Sequence, residues 1–391
     1  MRARVAAVGA LLMIGACGQS AQVARGDGYR VYEAATQSNG AIVALIDTRT
    51  PSAHDRLPIG TPSPDWTHYY TVNGRDLVDI DPETGRAQSR MGLPGDYQLP
   101  PATNSGIPGG LSPNGEWLVL QRFDTASHLL VIDTTLTLRP QEISLPGMFR
   151  FDAISNDGDR LYLIQDVSAD HYHVRVYDMS SYELDPNFIV DKNEGGEAMS
   201  GLRLSGVASI GGGWLFSVYA RAHEGAFIHA LNLDGPFALC LDLPGTGGDT
   251  SLDWSLARSP DGKKLYASNP AMGVVVELNA DNPSVGRTVH PMAPATGAPA
   301  GAVVSADNHT LALASASGVM WMDTITLTAT GEALPGWTVR SLALSPDGKT
   351  LYAVNDKGEL AELSMAERSV ISVFGPVVDH PIALMHVEAV A

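Results

Sequence analysis

Apolar and polar positions along this chain fall into short alternating runs of about five or six residues, broken by Gly, Pro, Asn and Asp. Such a pattern predicts strands joined by tight turns, with no stretch periodic enough for a long amphipathic helix. Between 251 and 287 the pattern predicts strands at 252–258, 264–268 and 274–278, with a further short one at 287–289. The first two are joined by Ser259-Pro260-Asp261-Gly262, in which Pro presets φ for the second turn position and Asp and Gly suit the next two.

That turn recurs. Ser345-Pro346-Asp347-Gly348 repeats it, and degraded copies begin at Ser63, Ser112, Ser155 and Ser305. Once a gap near Ser209 is filled, successive copies lie roughly 40 to 50 residues apart, the period of a propeller blade. Two further marks keep the same order. Third strands end in Asp before a polar turn, at Asp47, Asp81, Asp133, Asp178 and Asp323, where a carboxylate can accept backbone N–H bonds. Many units then finish with Leu-Pro-Gly, at 93–95, 145–147, 243–245 and 334–336, where the chain must leave the sheet.

The unit without the turn motif keeps its strands, at 206–210, 214–221, 226–233 and 237–243, with Gly211-Gly212-Gly213 as its turn. The first unit offers three strands, at 29–35, 41–47 and 56–59, and lacks an inner one. The lone C-terminal strand at 381–387 is the expected fourth, which would close the ring and remove an exposed sheet edge. The expectation is an all-β, single toroidal β-propeller of four-stranded blades over 29–391. Eight blades are favoured, with seven the alternative if the N-terminal hairpin merges with its neighbour.

The N-terminus reads as an export signal. Arg2 and Arg4 precede an apolar stretch at 5–14 that is too short to cross a ~30 Å bilayer as a helix. Ile14-Gly15-Ala16-Cys17 resembles the bacterial lipobox, which makes 1–16 a signal peptide, Cys17 the lipidated residue and 17–28 a tether. An ordinary secretory signal is the other reading. The expected location is outside the cytoplasm, on a bacterial membrane, with acyl chains contributing ~0.8 kcal/mol per buried methylene. Cys240, the one other cysteine, lies in an apolar run and reads as a small buried hydrophobe.

Charge narrows the partners. The formal net charge is −18, and removing 1–16 takes two arginines with it. Phosphates would be repelled at every approach, so nucleic acid is excluded and membrane attachment falls to the lipid. The partner is expected to be a protein or a small molecule, and the chain a monomer.

Ser-Pro-Asp-Gly, followed by strands such as Leu265-Tyr266-Ala267-Ser268 or Leu351-Tyr352-Ala353-Val354 and by a third strand ending Ile-Asp-Thr, resembles the YVTN-type β-propeller repeats of surface-layer and lactonase-like proteins. The resemblance spans 29–387 and is strongest over 251–364. It implies a fold and an extracytoplasmic habit, without one activity, because such propellers serve as scaffolds, binding modules and enzymes.

No phosphate loop, zinc signature or nucleophile elbow occurs. His171 and His173 share one face of a strand, a spacing some metal sites use, but no Cys or His nearby completes a ligand set. The recurrent strand-end Asp residues suit turn closure better than calcium, which needs six to eight converging oxygens. No cofactor is therefore predicted, and a divalent cation such as calcium stays open.

Candidate ligand-binding residues sit where outer strands hand over to inner strands, since those connections gather round one mouth of the channel. They are Arg150, Asp152, Arg203, Asp253, Trp254, Trp337, Arg340, Asp379 and His380. Salt bridges between blades are the competing use for them. The long connection 94–110 is expected to cover that mouth, and 191–201 is a second insert. Two functions stand: a binding or scaffold module, and a lactonase-like hydrolase using channel-mouth carboxylates and His380.

Overall fold

The computed structural model describes residues 28–390 except 39, 104–105, 169–170, 192–197, 222–223, 296–300 and 316. The signal peptide, Cys17 and residues 17–27 of the tether lie outside the described residues, as does most of the insert at 191–201.

Eight antiparallel sheets follow one another round a ring, which makes the fold an eight-bladed β-propeller. Blade 1 is built from both ends of the chain. Its order is Ala53–Pro58, Gly40–Asp47, Tyr29–Gln37 and, innermost, Pro381–Ala389. Tyr29 pairs with Ala389 and Val31 with Val387, so the closing strand anticipated at 381–387 is in place. Blades 2 and 4 to 8 run from an inner strand outward in chain order.

Blade 3 departs from the template. Trp117–Phe123, Ala126–Asp133 and Gln141–Pro146 form three strands, and its inner position is held by single bridges, Leu111 to Leu118 and Gln98 to Gln121. The chain there carries Pro100, Pro101 and Pro108, which lack the N–H a ladder requires.

The sequence pattern explains which strands lie deep. Every residue of Thr310–Ser315, a second strand, is buried, whereas Ser284–Val289 on the rim is almost wholly exposed. The core is divided into eight clusters, each straddling two neighbouring blades. Phe216 and Val276 share the cluster between blades 5 and 6, and Ile46 and Val354 share the one between blades 1 and 8. A buried Leu or Val contributes ~1.5–3 kcal/mol. No blade could bury these faces alone, so each depends on its neighbour in the ring.

The repeated serine has a defined task. In seven blades its hydroxyl accepts the backbone N–H five residues on: His68, Trp117, Arg160, Trp214, Lys264, Thr310 and Thr350 donate to Ser63, Ser112, Ser155, Ser209, Ser259, Ser305 and Ser345 at 2.8–3.0 Å. Ser259 in turn donates to Asp261 at 2.6 Å. Ser209 fills the gap in the register, with Gly211 and Gly212 taking the positive φ. The strand-end Asp residues close turns: Asp323 accepts the N–H groups of Ile325 at 3.0 Å and Thr326 at 2.7 Å. The strand expected at 252–258 is shorter, Ser255–Arg258, because Asp249–Leu252 coils into a 3₁₀ turn.

Candidate functional site

Strand order places the serine turns at one mouth of the ring and the outer-to-inner connections at the other. The inner strands that follow these connections carry bulges in blades 4, 5 and 8, the one in blade 8 at Arg340. In blade 4, Asp152 is the extra residue of a bulge between Phe151 and Ala153, and in blade 5 Leu204 is the extra residue between Arg203 and Ser205. Bulges re-aim side chains. Here they bring two blades into one ion pair, Nη1 of Arg203 donating to Oδ1 of Asp152 at 3.0 Å, with the carboxylate almost fully buried. Gly206 leaves room for it, since a Cβ there would meet the Arg203 guanidinium at 2.7 Å.

This pair borders a cavity of about 650 Å³. Blades 2 to 5 contribute to its wall, and the connection at 94–110 supplies another side through Pro100, Ile107 and Gly109. The connection also reaches across to blade 1, where a Cβ on Gly106 would lie 2.9 Å from Cβ of Ala34. The loop expected at the channel mouth is thus tucked against blade 1 and walls a cavity beside blades 4 and 5.

Of the nine residues singled out in the sequence, Arg150, Asp152 and Arg203 line the cavity. Arg150 is exposed and donates to Asp166 at 2.6 Å, a contact that holds its guanidinium above its ordinary pKa. The other six lie elsewhere. Trp254 is buried in the apolar layer between blades 5 and 6, its indole N–H without a partner among the described residues. Trp337 packs on the layer between blades 7 and 8. Burial pushes the Asp253 carboxyl up. Arg340, Asp379 and His380 are exposed, and none of the six borders the cavity. Asp253, Asp379 and His380 are not linked to one another by any hydrogen bond or ion pair.

His171 and His173 have local uses. His173 stacks on Phe188 with centroids 4.0 Å apart, and His171 approaches Ser168 at 3.4 Å. Among the described residues no group of three or more His, Cys, Asp or Glu side chains gathers to hold a metal ion.

Sequence reasoning missed Tyr172, Tyr219 and Gln121, which also border the cavity. Tyr172 and Tyr219 lie with ring centroids 5.9 Å apart, and burial pushes both phenols well above the ordinary tyrosine range. Behind them, on blade 5, burial lowers His229 to about 4. Its Nδ1 lies 3.8 Å from Sγ of Cys240, which is half-buried. Tyr172 was passed over between the two histidines, and Tyr219 reads as an ordinary core position of an alternating strand.

Chemically, the site offers a buried carboxylate, two guanidinium groups, two phenols and an amide around an otherwise apolar wall. That is the make-up of a small-molecule site.

No protein-family model matches the chain, and no curated protein matches it. Solved structures do. A dihydro-heme d1 dehydrogenase, NirN, in complex with DHE superposes with a TM-score of 0.57 at 14% identity, covering 91% of this chain and 74% of that one. Apo AztD from Citrobacter koseri superposes with a TM-score of 0.56 at 11% identity, covering 93% of this chain and 98% of that one. A second structure of Citrobacter koseri AztD gives 0.58 at the same identity and coverage. Likeness at these identities establishes a shared eight-bladed architecture.

Proposed function

We propose that this chain is an extracytoplasmic, lipid-anchored propeller that binds a small molecule in the cavity between blades 2 and 5. One observation carries the reading: a cavity of about 650 Å³, the volume of a small-molecule site, in whose wall the pair Asp152–Arg203 is held by two neighbouring blades. The structural neighbours are compatible with a binding role, NirN being described in complex with DHE. A scaffold role toward a protein partner is compatible with the same architecture. The anchor rests on the lipobox ending at Cys17 and the short apolar stretch before it. The lactonase-like alternative draws no support from the geometry, since Asp253, Asp379 and His380 stay apart from the cavity.

Leu202 lines the cavity from an exposed position, so Leu202→Trp fills space without disturbing the core. Native mass spectrometry of protein taken gently from membranes should show a bound small molecule on the wild type and little on Leu202→Trp. Equal occupancy of both proteins would place the ligand elsewhere. Palmitate labelling should disappear in Cys17→Ala, and labelling that survives would refute the anchor.

A further inference from the structure

The cavity carries its charge in pairs, and this restricts what fits. Arg150 is held by Asp166 and Arg203 by Asp152, so two guanidinium and two carboxylate groups cancel. An anionic ligand that reached Arg203 would set its charge beside a carboxylate that is only 4% exposed and already paired there. A cationic ligand that reached Asp152 would lie beside the Arg203 guanidinium already paired with it.

The buried pair is also one-sided. Nη1 of Arg203 reaches Oδ1 of Asp152 and, at 3.5 Å, the Asp152 carbonyl. Oδ2 of Asp152 and Nε of Arg203 have no hydrogen-bond partner among the described residues, and the hydroxyl of Tyr172 is buried beside that of Tyr219. Polar groups this deeply buried are normally satisfied. They offer an acceptor, a donor and a hydroxyl able to act as either, while Pro100, Ile107, Leu111 and Phe151 add apolar lining to the same cavity.

Resting on the binding role above, we infer that the ligand is an uncharged small molecule with an apolar body and one edge that carries a hydrogen-bond donor beside an acceptor. A sugar's vicinal diol has that edge, and so does a primary amide, whose syn N–H lies beside its C=O. The donor meets Asp152, and the acceptor meets Arg203 or Tyr172.

Calorimetric titration tests this with a methyl glycoside of a neutral sugar, a primary amide of similar size, and the amine and carboxylate counterparts of each. On the wild type, an uncharged probe should bind at least tenfold more tightly than its charged counterparts, and the tighter of glycoside and amide identifies the source. Asp152→Asn leaves Arg203 unmatched and should shift preference at least tenfold toward the carboxylate. Arg150→Met removes one member of an exposed pair, so folding is not at risk, and should shift preference toward the amine. A charged probe that binds the wild type as tightly as its neutral parent overturns the inference, as does the same charge order in all three proteins. If no uncharged probe binds, the inference falls while the co-purified mass still decides whether the cavity is used. Uncharged probes that bind Leu202→Trp undiminished would overturn both.

Discussion

Trp66 lies flat on His386, with ring centroids 4.3 Å apart and planes within 9°. Trp66 stands where five other copies of the turn carry glycine and one carries Asn308, at φ 57°, and its partner belongs to the C-terminal strand that closes the ring. Its ring also meets Tyr32 at 5.1 Å. The first serine turn has thereby become a clasp over the joint between the chain ends. Trp66→Gly suits the backbone, since glycine accepts positive φ without the ~1–2 kcal/mol penalty of other residues. It removes aromatic contacts worth ~0.5–1.5 kcal/mol each beyond their buried area. A net loss of roughly 1–3 kcal/mol is expected in chemical denaturation, and a variant as stable as the wild type would dismiss the clasp.

The clasp should be acid-sensitive. Burial lowers His386 to about 4, below the ordinary histidine value of about 6.5. The unfolded imidazole takes up a proton more readily than the folded one, so this contribution is whole above about pH 6.5 and drains away toward pH 4. His229 adds a fall over the same window. His386→Phe keeps a ring beneath Trp66 and removes the proton site, so its unfolding midpoint should decline less between pH 6.5 and 4. Superimposable pH profiles would contradict this.

Glu33 bends the profile the other way. It is fully buried on a strand of blade 1, both carboxyl oxygens lack partners among the described residues, and burial raises it to about 8. The folded state holds its proton where the unfolded chain has lost it, so stability is full below about pH 4.5 and falls as pH rises toward 8. Glu33→Gln should match the wild type near pH 4.5 and exceed it by a few kcal/mol at pH 9, at about 1.4 kcal/mol per pKa unit. Equal destabilisation at both pH values would show that Glu33 has a partner.

Asn156 ties three consecutive turns together. Its Oδ1 accepts the Asn114 N–H at 2.9 Å, and its Nδ2 donates to the Gly211 carbonyl at 2.8 Å. Asn156→Ala should cost about 1–2 kcal/mol and speed hydrogen exchange at the Asn114 amide. Unchanged exchange there would make the contacts incidental.

The architecture was legible because the blade grammar is local. A serine hydroxyl that bonds five residues on, an Asp that closes the next turn and a Leu-Pro-Gly break each act within a few residues, so spacing alone set the register. The site was legible in part, for the opposite reason. The register located the outer-to-inner connections, and among them Arg150, Asp152 and Arg203 meet at one cavity. It could not tell that bulges at Asp152 and Leu204 would turn two blades toward each other while Trp254 turned into the core. Nor does anything local mark Tyr219 off from a core tyrosine. The missing inner strand of blade 3 had a signal in its prolines, and what it opened was visible only in three dimensions.

A ligand seated against Asp152 and Arg203 should stabilise the folded propeller, by about 2.7 kcal/mol at a hundredfold excess over Kd. The most direct measurement is therefore the thermal unfolding midpoint of stripped wild type and Leu202→Trp, each with and without the small molecule recovered from the native protein. The midpoint should rise for the wild type and stay put for Leu202→Trp. An equal rise in both, or in neither, would contradict a binding site between blades 2 and 5.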